Sequence, residues 1–297
     1  MNTVRFLTDP VLLSLYWPGV LAGIAIAVVC ASLSPLVVLK RLSFVGQGIS
    51  HAAFGGIGLA AAIGAVSGAG AAAVQGPGQF LIVLVFCLGA AALIATLIER
   101  GASQADTAIG IVLVASMTLG AILIQWSMTH GASRARLQSW ESILFGSILA
   151  VGPGDAALAW GSAAVILATC WWFRRPLLFW AFDEPAARAF GVPTSAMKFL
   201  LIVLLTLAIV TAMKLAGVVL ATALLVLPGA TALRLSDRWG VVLAWSLGSG
   251  VAGVVGGLVL SFESEVLPPG ACIVAVLTIL FAAARLITGV QSARSAA

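Results

Sequence analysis

Nine runs of apolar residues, each long enough to cross a bilayer, leave this chain almost no choice of architecture. They extend over 12–39, 48–71, 80–98, 107–127, 156–173, 195–213, 215–235, 239–261 and 270–288. A helix needs about 20 apolar residues to cross the hydrocarbon core. Within that core only elements that close their own backbone hydrogen bonds are tolerated. The expected fold is all-α, a polytopic membrane helical bundle of about nine transmembrane helices. With 62% hydrophobic and 8% charged residues, and a mean hydropathy of +1.17, the chain lies far from the quarter-charged composition of soluble domains. The connections leave no room for a soluble domain, so residues 1–297 are expected to form a single transmembrane domain. Glu141 to Val151 can form a short interfacial or re-entrant helix.

The few charges report topology. Placing the connections at 40–47, 99–106, 174–194 and 234–238 in the cytoplasm, with the C-terminal tail, puts eleven basic residues inside: Lys40, Arg41, Arg100, Arg174, Arg175, Arg188, Lys198, Arg234, Arg238, Arg285 and Arg294. Four remain outside: Arg5, Arg134, Arg136 and Lys214. Basic residues favour the cytoplasmic face, so an external N-terminus and an internal C-terminus are expected. Trp17, Trp126, Trp171, Trp172, Trp180 and Trp239 fall near segment ends, where interfacial anchors belong. The net charge of +5 is spread among loops rather than gathered in a patch, so no nucleic-acid partner is expected. Residues Met1 to Pro10 lack a basic region followed by a short apolar core, and no cleaved signal peptide is expected.

Cys30, Cys87, Cys170 and Cys272 all lie inside apolar runs without Cys-x-x-Cys spacing, which indicates packing rather than disulfides or a zinc knuckle. In the second segment Gly55, Gly56, Gly58, Ala60, Ala61 and Ala62 offer a surface of little bulk, and Gly253 and Gly257 form another close-approach pair. The Gly/Ala-rich stretch from Gly64 to Gly78 reads as an external loop. There is no Gly-x-x-x-x-Gly-Lys-Ser/Thr phosphate loop and no His-Glu-x-x-His. Gly248-Ser249-Gly250 has no plausible base beside it. Without the phosphate loop ATP hydrolysis by this chain itself is not expected, and without the other two an intramembrane hydrolase is disfavoured.

Two stretches carry polar chemistry. Lys40-Arg41-Leu42-Ser43-Phe44-Val45-Gly46-Gln47-Gly48-Ile49-Ser50-His51 opens the second segment. If a helix starts near Ser43, with Ser43 as N-cap, Gln47 and His51 share a face about 6 Å apart along the axis. A polar pair on an intramembrane helix is costly unless it lines a path for something polar. The alternative is a histidine bonded to a backbone carbonyl inside the bundle. The second stretch is the internal loop from Arg174-Arg175-Pro176 to Pro193. Asp183 suits an N-cap, Pro185 a first turn, and Gly191 and Pro193 a stop, so a short cytoplasmic helix is expected. Ala186 and Phe190, four residues apart, would press its apolar side into a groove on a soluble partner. A solvated connector satisfies the same spacing.

Three stretches together resemble the permease subunits of bacterial zinc, manganese and iron ABC importers: Arg41 to His51, Ala181 to Gly191, and Leu224-Leu225-Val226-Leu227-Pro228-Gly229-Ala230-Thr231-Ala232. The likeness covers nearly the whole chain. It implies a homodimeric or paired permease in the bacterial cytoplasmic (inner) membrane, driven by two cytoplasmic ATP-binding subunits and fed by an extracytoplasmic metal-binding protein. The short helix would then dock on the ATPase, which assigns Phe182, Asp183, Glu184, Ala186, Ala187, Arg188, Phe190 and Gly191 to coupling. The resemblance also implies that a transported divalent metal ion passes His51 and Gln47, with no cofactor bound by the chain. The family commonly has an acidic residue at the position of Gln47.

A carboxylate and an imidazole at this spacing form half of a divalent-cation site, which a two-fold axis doubles to four ligands. Gln47 keeps an amide oxygen but removes one negative charge per subunit. Binding should weaken and lean on His51, whose neutral form is the ligand and whose reference pKa is about 6.5. A transient, low-affinity transfer site is expected. Glu263 and Glu265, before Pro268-Pro269-Gly270, can attract cations to an external mouth, or be merely solvated. His130, near Arg134 and Arg136, offers a docking point for the binding protein, though a plain loop histidine fits as well. A permease for a chelated metal or vitamin shares the need for coupling helices. An intramembrane enzyme, the reading from another class, lacks a catalytic constellation.

Overall fold

The structure, a computed structural model, describes residues 10–67, 77–99, 105–129, 148, 151–264 and 267–295. Among these residues there are eleven helices and no strand. In chain order they are α1 (Pro10–Leu39), α2 (Ser43–Ser67), α3 (Pro77–Glu99), α4 (Ala105–Thr129), α5 (Pro153–Trp172), α6 (Arg174–Phe182), α7 (Glu184–Ala189), α8 (Thr194–Ala216), α9 (Val218–Leu235), α10 (Trp239–Glu263) and α11 (Pro269–Ser295). Nine of these are long and apolar enough to cross a membrane. They coincide with the nine apolar runs.

Several differences from expectation sit at helix ends. Helix α2 begins at Ser43, so this residue lies in the first turn rather than at the cap. Gly64 to Ser67, expected in a loop, close α2, and Pro77-Gly78 open α3. Glycine is a poor helix former, but inside a bilayer an unmade backbone hydrogen bond costs more than that propensity. Residues 68–76 lie outside the described residues, as do His130, Arg134, Arg136 and Glu141–Ser147. Between α5 and α7 the structure adds α6, a nine-residue helix where a loop was expected. Leu177, Trp180 and Ala181 form its buried stripe at helical spacing, and Pro176 falls in its first turn, where proline is tolerated.

The helices gather into two compact units. In the first, α1 packs against α5, α9 and α10, α9 packs against α10 and α11, and α10 packs against α11. Prolines shape this unit. Pro35 lies inside α1 and has no N–H, which releases the carbonyl of Ala31 four residues earlier. The Ser246 hydroxyl from α10 donates to that carbonyl at 2.6 Å. Nearby the Gly229 N–H, next to Pro228 inside α9, donates to Ser34 Oγ at 2.8 Å. A Cβ on Gly229 would stand 2.5 Å from the Ser34 carbonyl carbon, so Pro228-Gly229 exists where α9 and α1 cross. Gly253 meets Leu277 and Gly257 meets the Ile273 backbone, which gives the expected close-approach pair its partner, α11.

The second unit holds α2, α3, α4 and α8 as far as Val210. Small residues let α2 approach its neighbours backbone to backbone. A Cβ on Gly58 would lie 2.6 Å from the Gly120 carbonyl of α4, and one on Gly56 would lie 2.9 Å from Val83 Cα of α3. The low-bulk surface read from the sequence is thus used for packing. Among the described residues the chain passes from one unit to the other at Ser43/Phe44, Ala186/Ala187 and Val210/Thr211. Cys30, Cys87 and Cys272 are buried and all four cysteines are free.

Candidate functional site

The second and third turns of α2 carry the intramembrane polar pair. Val45, Gly46, Gly48, Ile49, Ser50, Ala52 and Ala53 are buried, whereas Ser43, Gln47 and His51, at four-residue spacing, are half-buried. Between Val45 and Gly56 the open positions are therefore Gln47 and His51 alone, while Phe44 before them and Ile63 and Val66 near the other end of the helix are exposed. Gln47 Nε2 lies 2.9 Å from His51 Nε2, and His51 Nδ1 is buried with no hydrogen-bond partner. The Phe54 ring stacks on the imidazole at 6.2 Å between centroids and 15° between planes.

This geometry fixes what the pair can do. With the amide nitrogen donating, Nε2 accepts and Nδ1 carries the proton. With the carboxamide turned over, its oxygen accepts from Nε2–H and Nδ1 becomes a bare lone pair; both fit the same contact. In the second arrangement one ring nitrogen is oriented by a neighbour and the other is free, the habit of a metal-ligating histidine. The alternative of a histidine bonded to a backbone carbonyl is not what the structure has. Among the described residues no three His, Cys, Asp or Glu side chains converge on one point.

The expected short helix is present as α7, Glu184–Ala189. Asp183 Oδ1 accepts from the Ala186 N–H at 2.9 Å, the N-cap bond that its position suggested. At the other end Gly191 has φ +81, and two bonds close the turn: Gly191 N–H to the Arg188 carbonyl at 3.1 Å and Val192 N–H to the Ala187 carbonyl at 2.9 Å. This cap favours glycine because a Cβ crowds the left-handed conformation. Pro193, expected as a stop, also opens α8: its carbonyl accepts from the Met197 N–H. Ala187 is the buried residue, Ala186 is half-buried, and Phe190 is 81% exposed. The neighbouring Phe182 is exposed as well, its ring edge-on to Trp239 at 5.7 Å.

A cluster that sequence reasoning missed joins this helix to the end of α1. Lys40 Nζ lies 3.3 Å from Glu184 Oε2 and 4.2 Å from the centroid of the Trp180 ring. Trp180, expected as an interfacial anchor, is instead 2% exposed, and its Nε1 has no hydrogen-bond partner. The cation over its face is one reason for the difference, since a lysine above an indole is attracted by the ring quadrupole. The signal was in the sequence only as the Leu177/Trp180/Ala181 stripe. Of the two mouth candidates, Glu263 is the exposed last residue of α10. Glu265 lies outside the described residues.

A multi-pass bundle that carries an imidazole–amide pair inside one span, and a capped, phenylalanine-tipped helix between two others, has the parts of a membrane permease. The profile of the ABC 3 transport family matches residues 13–288, and the chain belongs to that family. The manganese transport system membrane protein MntC of Halalkalibacterium halodurans is 33% identical over 285 residues, covering 96% of this chain and 91% of the relative. A probable iron transport system membrane protein of Haemophilus influenzae is 30% identical over 270 residues, covering 91% of this chain and 92% of the relative. PsaBC from Streptococcus pneumoniae, solved in complex with Fab, matches with a TM-score of 0.76 at 30% identity, over 95% of this chain and 93% of that one.

Proposed function

We propose that the chain is the permease of an ATP-driven importer for a divalent transition metal in the bacterial cytoplasmic membrane, with residues 1–297 acting as one permease domain. Its relatives' manganese and iron names support the cargo. The observation that carries the reading is the Gln47–His51 pair at 2.9 Å with Nδ1 unpartnered. His51 Nδ1, with the ring oriented by Gln47, is one donor from this chain and falls short of the four that a transition metal commonly takes. A second copy related by a two-fold axis, or water carried by the ion, completes the set. Such a site releases its ion readily.

ATP-binding subunits dock on α7 from the cytoplasm, with Phe190 and Phe182 as the apolar contact and the bonds at Asp183 and Gly191 holding the helix in shape. Glu184, Ala186, Ala187 and Arg188 complete this coupling segment. An extracytoplasmic metal-binding protein delivers the ion to the far side, where Glu263 and Glu265 favour cations at the mouth. The test is manganese(II) uptake by cells carrying His51→Ala at equal membrane levels. Uptake is expected to fall roughly tenfold or more, the range over which ligand and outer-shell changes alter metal sites; undiminished uptake rules the site out.

A further inference from the structure

Lys40 stands where three things meet. It follows the last residue of α1, its ammonium lies over the buried Trp180 of α6, and the same ammonium bonds Glu184, the first residue of α7. Directly after it, Arg41 takes φ +55. The Arg41 N–H bonds the Val38 carbonyl at 3.1 Å, and the Leu42 N–H bonds the Val37 carbonyl at 2.9 Å. This is the pattern that closes α7 at Gly191, here built on a residue with a side chain. Helix α2 begins two residues later, and Gln47 is its fifth residue.

An ion pair with side chains 17% and 43% exposed adds little to stability, so stability alone does not account for its placement. Its geometry does more. Trp180 is fixed by burial, Lys40 is fixed on Trp180, and Glu184 is held by Lys40, so a displacement of α7 pulls on the end of α1. The tightly capped Leu39–Ser43 turn passes that pull along the chain to the start of the helix carrying Gln47 and His51. We propose that Lys40 is a positioning residue that transmits movement of α7 to the entry of α2. This rests on α7 being the ATPase contact.

The test uses the whole importer, this chain with its ATP-binding subunits in proteoliposomes, and reads manganese(II) transported per ATP hydrolysed. Lys40→Met and Glu184→Gln are each expected to lower that ratio about fivefold, the scale of a weak coupling between sites. Lys40→Arg, whose guanidinium also stacks on indole and pairs with carboxylate, is expected to keep the ratio near that of the unaltered protein. If Lys40→Met fails to reach the membrane, Glu184→Gln, a near-isosteric change on a half-buried side chain, carries the test alone. Phe190→Asp separates the two readings. If it leaves ATP hydrolysis and transport unchanged, α7 is not the ATPase contact and the functional reading of that helix falls. If it disrupts both while Glu184→Gln keeps the ratio, only the role of Lys40 is overturned. Equal losses in Lys40→Arg and Lys40→Met also overturn it, because the contact would then not depend on a cation.

Discussion

Gln47 and His51 are a pair in which one member tunes the other. The amide contacts the ring without supplying charge, so under the proposed function the imidazole is expected to carry most of the affinity for a cation. Replacing Gln47 by Glu restores a carboxylate at the same reach. Apparent affinity for manganese(II) is expected to rise about tenfold, with turnover falling as the ion leaves more slowly. A concentration series of uptake, separating half-saturation from maximal rate, checks this; equal half-saturation in the two proteins would mean that the side chain at 47 does not face the ion. The spacing of the pair was legible in sequence because four residues make roughly one helical turn. Their hydrogen bond and the orphaned Nδ1 were not, because rotamers depend on neighbours such as Phe54.

At the scale of single elements, α7 shows how a six-residue helix is held. Helices this short are not stable by propensity, so the cap bonds at Asp183 and Gly191 must supply part of what holds it. Asp183→Ala removes one of them, at about 1 kcal/mol. The Ala186 amide is then expected to exchange hydrogen faster, and transport to decline with the chain still in the membrane. Caps are local, which is why Asp183, Gly191 and the helix between them were readable. Helix α6 was missed because a basic pair and a proline resemble a turn, and the Leu177/Trp180/Ala181 stripe spans too few residues to outweigh them.

For the whole molecule, hydropathy drew the nine spans to within a few residues, since a bilayer imposes length and apolarity on each segment separately. The basic residues give an expected orientation, which labelling tests. Cysteine placed at Phe190 is expected to react with a membrane-impermeant maleimide only from the cytoplasmic side, and cysteine placed at Glu263 only from outside, in inverted and right-side-out vesicles. Reaction of both from one side would redraw the helix order. What hydropathy could not reach is which spans touch. The Ser34–Gly229 bond joins residues 195 apart in sequence, and neither residue advertises the other.

The hydroxyl of Ser246 answers a carbonyl that is vacant because Pro35 cannot bond it. The two positions should therefore be epistatic. Ser246→Ala alone leaves the Ala31 oxygen stranded and should lower the melting temperature of the solubilised protein. In a Pro35→Ala background, where the helix reclaims that oxygen for itself, the same change should do measurably less. A descendant sequence can discard the serine cheaply only after discarding the proline, so the order of mutation is constrained by one oxygen atom.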